Sequence, residues 1–179
     1  SNTAGTNGGA VYLIASSVAS IISSYFSSNA ATATDGGAVY ATASNVSTSS
    51  CTYDSNTAGT SGGAFFVTTS GSLNMASCTV TNNMANNGNG GGIVVDASPT
   101  TVTGTTFGTN IASGSGGGLY GTLITSMIVG SSSFTSNTAA TNGGGLYSTS
   151  TGVGAVSVST SNFSSNSAGL GGGIYVQGA

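Results

Sequence analysis

The sequence predicts an all-β fold, a parallel β-helix or β-solenoid of six to seven coils with about 27 residues per coil. Three observations carry this prediction. A motif repeats from one end of the chain to the other, apolar residues alternate with small polar ones inside each repeat, and the residues that build helices are nearly absent.

The repeat opens on an Asn-x-Ala step. Its asparagines are Asn2, Asn29, Asn56, Asn83, Asn110, Asn137 and Asn166, with five consecutive spacings of 27 residues and a last one of 29. Asparagine suits a turn because it tolerates a left-handed backbone, and stacked in register its amides can hydrogen-bond along the axis as a ladder. A Gly pair follows, beginning at Gly8, Gly36, Gly62, Gly90, Gly116, Gly143 and Gly171. A positive φ or a close backbone approach would exclude a Cβ there. The turn between Asn and Gly is where small differences in coil length are expected to be absorbed.

The next aliphatic or aromatic position, held by Val11, Val39, Phe65, Ile93, Leu119, Leu146 and Ile174, is the safest core prediction. By strand alternation its neighbour faces out. That neighbour is aromatic at Tyr12, Tyr40, Phe66, Tyr120, Tyr147 and Tyr175, and Val94 in the fourth coil. These six aromatics form a candidate contact face. The row has two readings: rings that shield one another and the backbone, or a surface for a partner solenoid or the faces of sugar rings.

An alternating strand then runs through stretches such as Leu73-Asn74-Met75, Met127-Ile128-Val129 and Val156-Ser157-Val158 to an inward anchor. The anchors are Phe26, Tyr53, Val80, Phe107, Phe134 and Phe163, each three residues before the next ladder asparagine. A coil of this length accommodates three strands of roughly four to six residues, and coils stacked at ~4.8 Å give a rod about 30 Å long.

Composition narrows the function. The 179 residues include no Lys, Arg, His or Trp, and three acids, Asp35, Asp54 and Asp96, set the net charge at -3. Nucleic acid is not an expected partner, because affinity for it comes largely from cations neutralising phosphates. No apolar run reaches the ~18 residues of a membrane span, so no membrane insertion is expected of this segment. Glycoside hydrolysis ordinarily needs two carboxyls ~5–10 Å apart, and the three acids occupy different positions of the repeat. With no His and no clustered acids, neither a catalytic residue, a metal site nor a cofactor is expected.

Cys51 and Cys78 lie 27 residues apart, two before their anchors, at positions where other coils carry Ser24, Thr105, Ser132 and Ser161. They should be stacked neighbours. Their Cα separation of ~4.8 Å falls within disulfide range, while side chains pointing the same way hold the Cβ atoms wider than usual. A bridge and two reduced thiols filling a small-residue ladder are both open. Sequons at Asn45 and Asn162 mark candidate N-glycosylation sites on outward positions. A surface this neutral needs sugars or neighbours to keep it from non-specific association.

Phe26-Ser27-Ser28-Asn29-Ala30-Ala31 with Gly36-Gly37-Ala38-Val39, and Phe163-Ser164-Ser165-Asn166-Ser167-Ala168 with Gly171-Gly172-Gly173-Ile174, resemble the tandem repeats of the chlamydial polymorphic outer-membrane proteins. Gly replaces Ala in the third place of the last four boxes. The resemblance implies a right-handed parallel β-helix displayed on a cell surface, in a family of autotransported adhesins.

The expectation is a non-enzymatic extracellular structural protein, a rigid element of a surface filament, sheath or adhesin stalk. The whole of 1–179 reads as one β-solenoid domain, a segment of a longer solenoid or a filament subunit, because neither end carries a charged or helical cap. Its expected partners are itself, other solenoid segments, and glycans. The alternative is a binding module, either a glycan-binding adhesin or an ice-binding protein. Ice binding calls for regular Thr rows, and beside the aromatic row Thr fills four of seven sites: Thr42, Thr68, Thr122 and Thr149.

Overall fold

The computed structural model describes residues 1–15, 17–150 and 155–178. Among the described residues every regular element is a strand, and all pairings between named strands are parallel. Each strand pairs with the equivalent one in the next coil, so four sheets run along the molecule. Sheet A extends from Thr3–Ala4 to Thr138–Ala139, sheet B from Val11–Leu13 to Ile174–Gln177, sheet C from Val18–Ile22 to Ala155–Ser159, and sheet D from Tyr25–Ser27 to Asn162–Ser164. Coils are counted here from the ladder asparagine, the first from Asn2 and the second from Asn29.

The coil therefore has four sides where three strands were expected. The extra side is a two-residue strand just after the ladder asparagine, as in Thr57–Ala58, set off from the anchor strand Thr52–Asp54 by Ser55 at φ 57°. Left-handed residues mark the corners. In the third coil they are Gly62, Thr69 and Ser70, Ser77 and Asn82. The ladder asparagine itself does not adopt that conformation; the residue before it does, from Ser28 through Ser55, Asn82, Thr109 and Ser136 to Ser165. A small or polar residue takes the turn, which leaves the asparagine side chain free to point inward.

The first glycine of each pair has a positive φ, 67° at Gly36, where a Cβ would press on the Val39 carbonyl. The Asn-to-Gly step varies, 7 from Asn29 to Gly36 and 6 from Asn56 to Gly62, but these coils stay 27 residues long, so the variation is offset beyond the Gly box and not absorbed in that turn. The sixth coil has two extra residues. Sheet B keeps a 27-residue step, Leu119 opposite Leu146, while sheet C steps by 29, Ser126 opposite Ala155, so they fall between these two sheets.

Burial follows the period-two alternation. Val46 and Thr48 point in and Asn45 and Ser47 out; Leu73 and Met75 point in and Asn74 out. Val39, Phe65, Ile93, Leu119 and Leu146 are completely buried, and only the terminal members Val11 and Ile174 of that predicted core row are partly open. The anchors stack inside: Phe26 on Tyr53 at 5.0 Å, Phe107 on Phe134 at 4.4 Å, and Phe134 on Phe163 at 4.6 Å. Val80 separates the two stacks. Phe65 meets Tyr53 edge-on at 4.6 Å, and the Tyr53 hydroxyl is satisfied by Thr48 Oγ1 at 2.7 Å.

Candidate contact faces

Two inward ladders of hydrogen bonds run along the rod. In the first, the Oδ1 of each asparagine accepts two hydrogen bonds from the previous one, from its backbone N–H and from its side-chain amide. Asn29 donates both to Asn56 at 2.9 and 2.8 Å, and Asn110 donates both to Asn137 at 3.1 and 2.9 Å. The remaining amide hydrogen of Asn83 goes to the carbonyl of Tyr53, and that of Asn110 to the carbonyl of Val80. Interior members are 0–2% exposed, so this saturation is what permits their burial.

The second ladder runs through Ser24, Cys51, Cys78, Thr105, Ser132 and Ser161. Each backbone N–H donates to the side-chain sulfur or oxygen one coil on, as Ser24 N to Cys51 Sγ at 3.3 Å and Cys51 N to Cys78 Sγ at 3.4 Å. Each side chain donates to the carbonyl two residues back, Cys51 to Ser49 at 3.2 Å and Ser132 to Gly130 at 2.9 Å. Cys51 and Cys78 are buried free thiols in this structure. They serve as hydroxyl equivalents. Spacing revealed the column, but not that its side chains hold up backbone N–H groups.

Outside, on sheet B, the predicted aromatic row forms two stacks. Tyr12, Tyr40 and Phe66 lie 5.3 and 5.5 Å apart with planes within 9°; Tyr120, Tyr147 and Tyr175 lie 4.8 and 5.3 Å apart within 2°. Val94 stands between the stacks and is buried although its position faces outward. This geometry changes the expected contact. Rings stacked face to face cover one another's faces, so the row offers edges and hydroxyls where sugar-ring faces were expected to dock. Burial, and then the neighbouring tyrosine, push the phenols of Tyr40, Tyr120 and Tyr147 up, so these hydroxyls remain donors at neutral pH.

Beside the rings runs a polar row containing Thr42, Thr68, Asp96, Thr122, Thr149 and Gln177. Thr68 Oγ1 donates to Asp96 Oδ2 at 3.1 Å, and Thr149 Oγ1 to Thr122 Oγ1 at 3.2 Å. Asp96 Oδ1 is buried and accepts no hydrogen bond among the described residues. The other acids are separately occupied. Asp35 accepts from the Thr60 hydroxyl and from Ser61 N–H at 3.0 Å; Asp54 accepts from Thr81, Asn82 and Ser55 at 2.8–3.0 Å. Among the described residues no three His, Cys, Asp or Glu side chains converge. Asn45 and Asn162 are both exposed.

The family description "Chlamydia polymorphic membrane protein repeat" has a model that matches residues 23–42, 131–149 and 160–177. Three segments of the chain are similar to this repeat. Each polymorphic membrane protein repeat match begins at a left-handed corner, Ser23, Ser131 or Thr160, crosses sheet D and the ladder asparagine, and ends on the outward polar row of sheet B at Thr42, Thr149 or Gln177. The repeat thus spans the anchor, the Asn ladder, the Gly box and the ring row, while sheet C lies outside the matched segments. Comparison with curated proteins gives no match, and neither does comparison with solved structures.

Proposed function

We propose that this chain is a non-enzymatic, surface-displayed β-solenoid of adhesin type, acting as a rigid stalk whose side faces make the contacts. The polymorphic membrane protein repeat supports the surface and adhesin part of this reading. One observation carries the structural part: the asparagine ladder continues without a break from Asn2 to Asn166. A bend between coils would have to break several buried hydrogen bonds together. Antibody labelling of intact source cells, imaged by electron microscopy, tests the proposal. Label on thin straight projections is the expected result; label only after lysis overturns it.

A second reading, a glycan-binding module, is favoured by Asp96. A buried carboxylate oxygen without a donor is costly, and a sugar hydroxyl reaching it between the Thr68 and Thr122 rungs would supply one. The tyrosine edges of the second stack would add hydrogen bonds. Saturable binding on a glycan array, abolished by Asp96→Ala and by Tyr120→Ala with Tyr147→Ala, is the expected outcome. Binding unchanged in both variants removes sheet B as the site. Glycans attached at Asn45 and Asn162 belong to the same proposal and are checked by intact mass before and after glycosidase treatment.

A further inference from the structure

Four Asn-Gly steps occur in the chain, at Asn7, Asn87, Asn89 and Asn142. Such a step is labile in a flexible peptide, because the glycine nitrogen can turn onto the asparagine side-chain amide with no Cβ in the way. The fold treats the four differently. Asn7, Asn89 and Asn142 stand half-buried directly before the first glycine of a Gly pair, and the N–H of that glycine is tied to the next coil. Gly8 N–H donates to the Asp35 carbonyl at 3.1 Å, Gly90 N–H to Ser115 at 2.9 Å and Gly143 N–H to Leu170 at 2.9 Å. Two of these side chains are held as well, Asn7 Oδ1 by Asp35 N–H at 3.2 Å and Asn89 Oδ1 by Ser115 N–H at 2.8 Å.

Asn87 is an inserted residue. Counted from the ladder asparagine, Gly59, Asn86, Ser113 and Ala140 share one stacked position, and each N–H donates to the coil before. Counted back from the Gly pair, Thr60, Gly88, Gly114 and Thr141 share the next. Coils three, five and six place nothing between these two positions; the fourth places Asn87 there. The N–H groups of Thr60, Gly114 and Thr141 donate to the coil before at 2.8–3.0 Å. The insertion lifts Gly88 out of that ladder: its carbonyl still receives Gly114 N–H, but its own N–H has no acceptor among the described residues. Asn87 is exposed, and one hydrogen bond, from Nδ2 to the Gly59 carbonyl at 2.9 Å, restrains its side chain.

We propose that Asn87 is a site of spontaneous deamidation and isoaspartyl formation, selected by the fold over the other three Asn-Gly steps. Ring closure needs a nitrogen free to reach the amide carbon, and only Gly88 offers one without first leaving a backbone hydrogen bond. The Gly88 nitrogen bonds to Asn87 Cγ, the Cγ–Nδ2 bond breaks, and the side-chain nitrogen leaves as ammonia with the proton that Gly88 gives up. Water then opens the succinimide at either carbonyl. One product is aspartate; the other is isoaspartate, in which the main chain continues through the former side-chain carbonyl. Overall, water enters and ammonia leaves with no change of oxidation state, and the net charge goes from -3 to one unit more negative. The insertion also makes the product tolerable. An isoaspartyl linkage lengthens the main chain by a methylene at a residue that the stacked register bypasses, so the bonds on either side, Asn86 N–H to Ala58 and Gly114 N–H to Gly88, need not break. The exposed α-carboxylate of the isoaspartate is the group that S-adenosylmethionine-dependent isoaspartyl methyltransferases esterify, which gives the class of enzyme this corner would serve.

The test is incubation of the native 179-residue chain in mildly alkaline buffer, followed by peptide mass spectrometry and by methylation with an isoaspartyl methyltransferase and labelled S-adenosylmethionine. The expected result is conversion at Asn87 at least about tenfold faster than at Asn7, Asn89 or Asn142, because each of those must first give up a backbone hydrogen bond whose net worth corresponds to about that factor. In the chain unfolded in urea the four steps should convert at similar rates. Asn87→Gln should remove most of the methylation of the native chain. Equal rates at the four steps in the native protein, an Asn87 that stays intact, the same preference for Asn87 in urea, or methylation unchanged in Asn87→Gln each overturns the proposal.

Discussion

Asn83 Oδ1 lies 2.9 Å from the backbone nitrogen of Asn56 and 3.0 Å from its Nδ2, closing both donors of one coil onto a single oxygen of the next. Removing that oxygen strands two buried donors at once. Asn83→Ala also removes the side-chain donor of the Tyr53 carbonyl and one of the two donors to Asn110 Oδ1. At about 1–3 kcal/mol for each buried polar group left unsatisfied, the substitution should destabilise by about 3–4 kcal/mol. Asn166→Ala should cost clearly less, because that residue is only partly buried. Urea unfolding of the two variants beside the parent gives the comparison; equal losses would show that the ladder's contribution does not depend on its burial.

The replacement of Ala by Gly has a packing cause at Gly92, Gly118 and Gly145, though not at Gly173, where a Cβ would meet nothing nearer than 3.5 Å. A Cβ at Gly118 would stand 2.6 Å from the Gly145 carbonyl oxygen and 3.0 Å from Phe134 Cδ1, inside the contact limits of both. Gly118→Ala should therefore destabilise by about 1–3 kcal/mol despite the gain in backbone rigidity. Ala64, its counterpart in the third coil, is fully buried with its Cβ in place. Thermal melts of Gly118→Ala and Ala64→Gly decide it: a stabilised Gly118→Ala variant would mean that the Phe134 ring yields.

How far the sequence foretold these features follows from what kind of contact each one is. The Asn column, the Gly box and the buried row from Val39 to Leu146 were legible because each is repeated at one register, and stacking converts sequence period directly into contact. The fourth side of the coil was not, since two residues such as Thr57–Ala58 are too short to show alternation, and the turn before them rests on Ser55, a residue type common throughout the chain. The ring row was placed correctly on sheet B. Its chemistry was not, because whether rings expose faces or edges depends on side-chain torsions that spacing does not encode.

The thiols lend themselves to a sharper test than the presence or absence of a bridge. Burial pushes the Cys78 thiol up, against hydrogen bonds that lower it, and both sulfurs are shut away from solvent. Native protein should leave an aromatic disulfide reagent unreacted until denaturant is added, when two thiols per chain should appear. Cys78→Ser should be nearly neutral, within about 1 kcal/mol, since Ser132 already performs the same exchange of hydrogen bonds. Cys78→Val keeps the bulk but leaves the Cys51 N–H without its acceptor, and should cost about 1–3 kcal/mol. A valine variant as stable as the serine one would remove the backbone-support role.

Stability should hardly vary with pH across the neutral range, because the chain has neither His nor Lys to titrate there. At the acid edge, partial desolvation raises the Asp54 carboxyl, but hydrogen bonds from Asn82, Thr81 and Ser55 outweigh it and hold it below its ordinary value. A depressed folded value means a stabilising contribution that is complete above the unfolded pKa and is lost as pH falls through the folded one. Asp54→Asn should therefore flatten the decline below about pH 4. At the alkaline edge the sign reverses. Burial is the largest cause raising Tyr53, ahead of the Thr48 hydrogen bond that lowers it, and burial likewise leads for Tyr40, Tyr120 and Tyr147. Their contribution is present below the unfolded phenol value of about 10 and is lost as pH rises through the folded values. Melting temperature measured from pH 3 to 12 should thus show a broad plateau with its steeper fall on the alkaline side, and Tyr53→Phe should move that fall to higher pH. A fall unmoved by Tyr53→Phe would assign the alkaline limit to the outer tyrosines and the Cys78 thiol, which burial also raises.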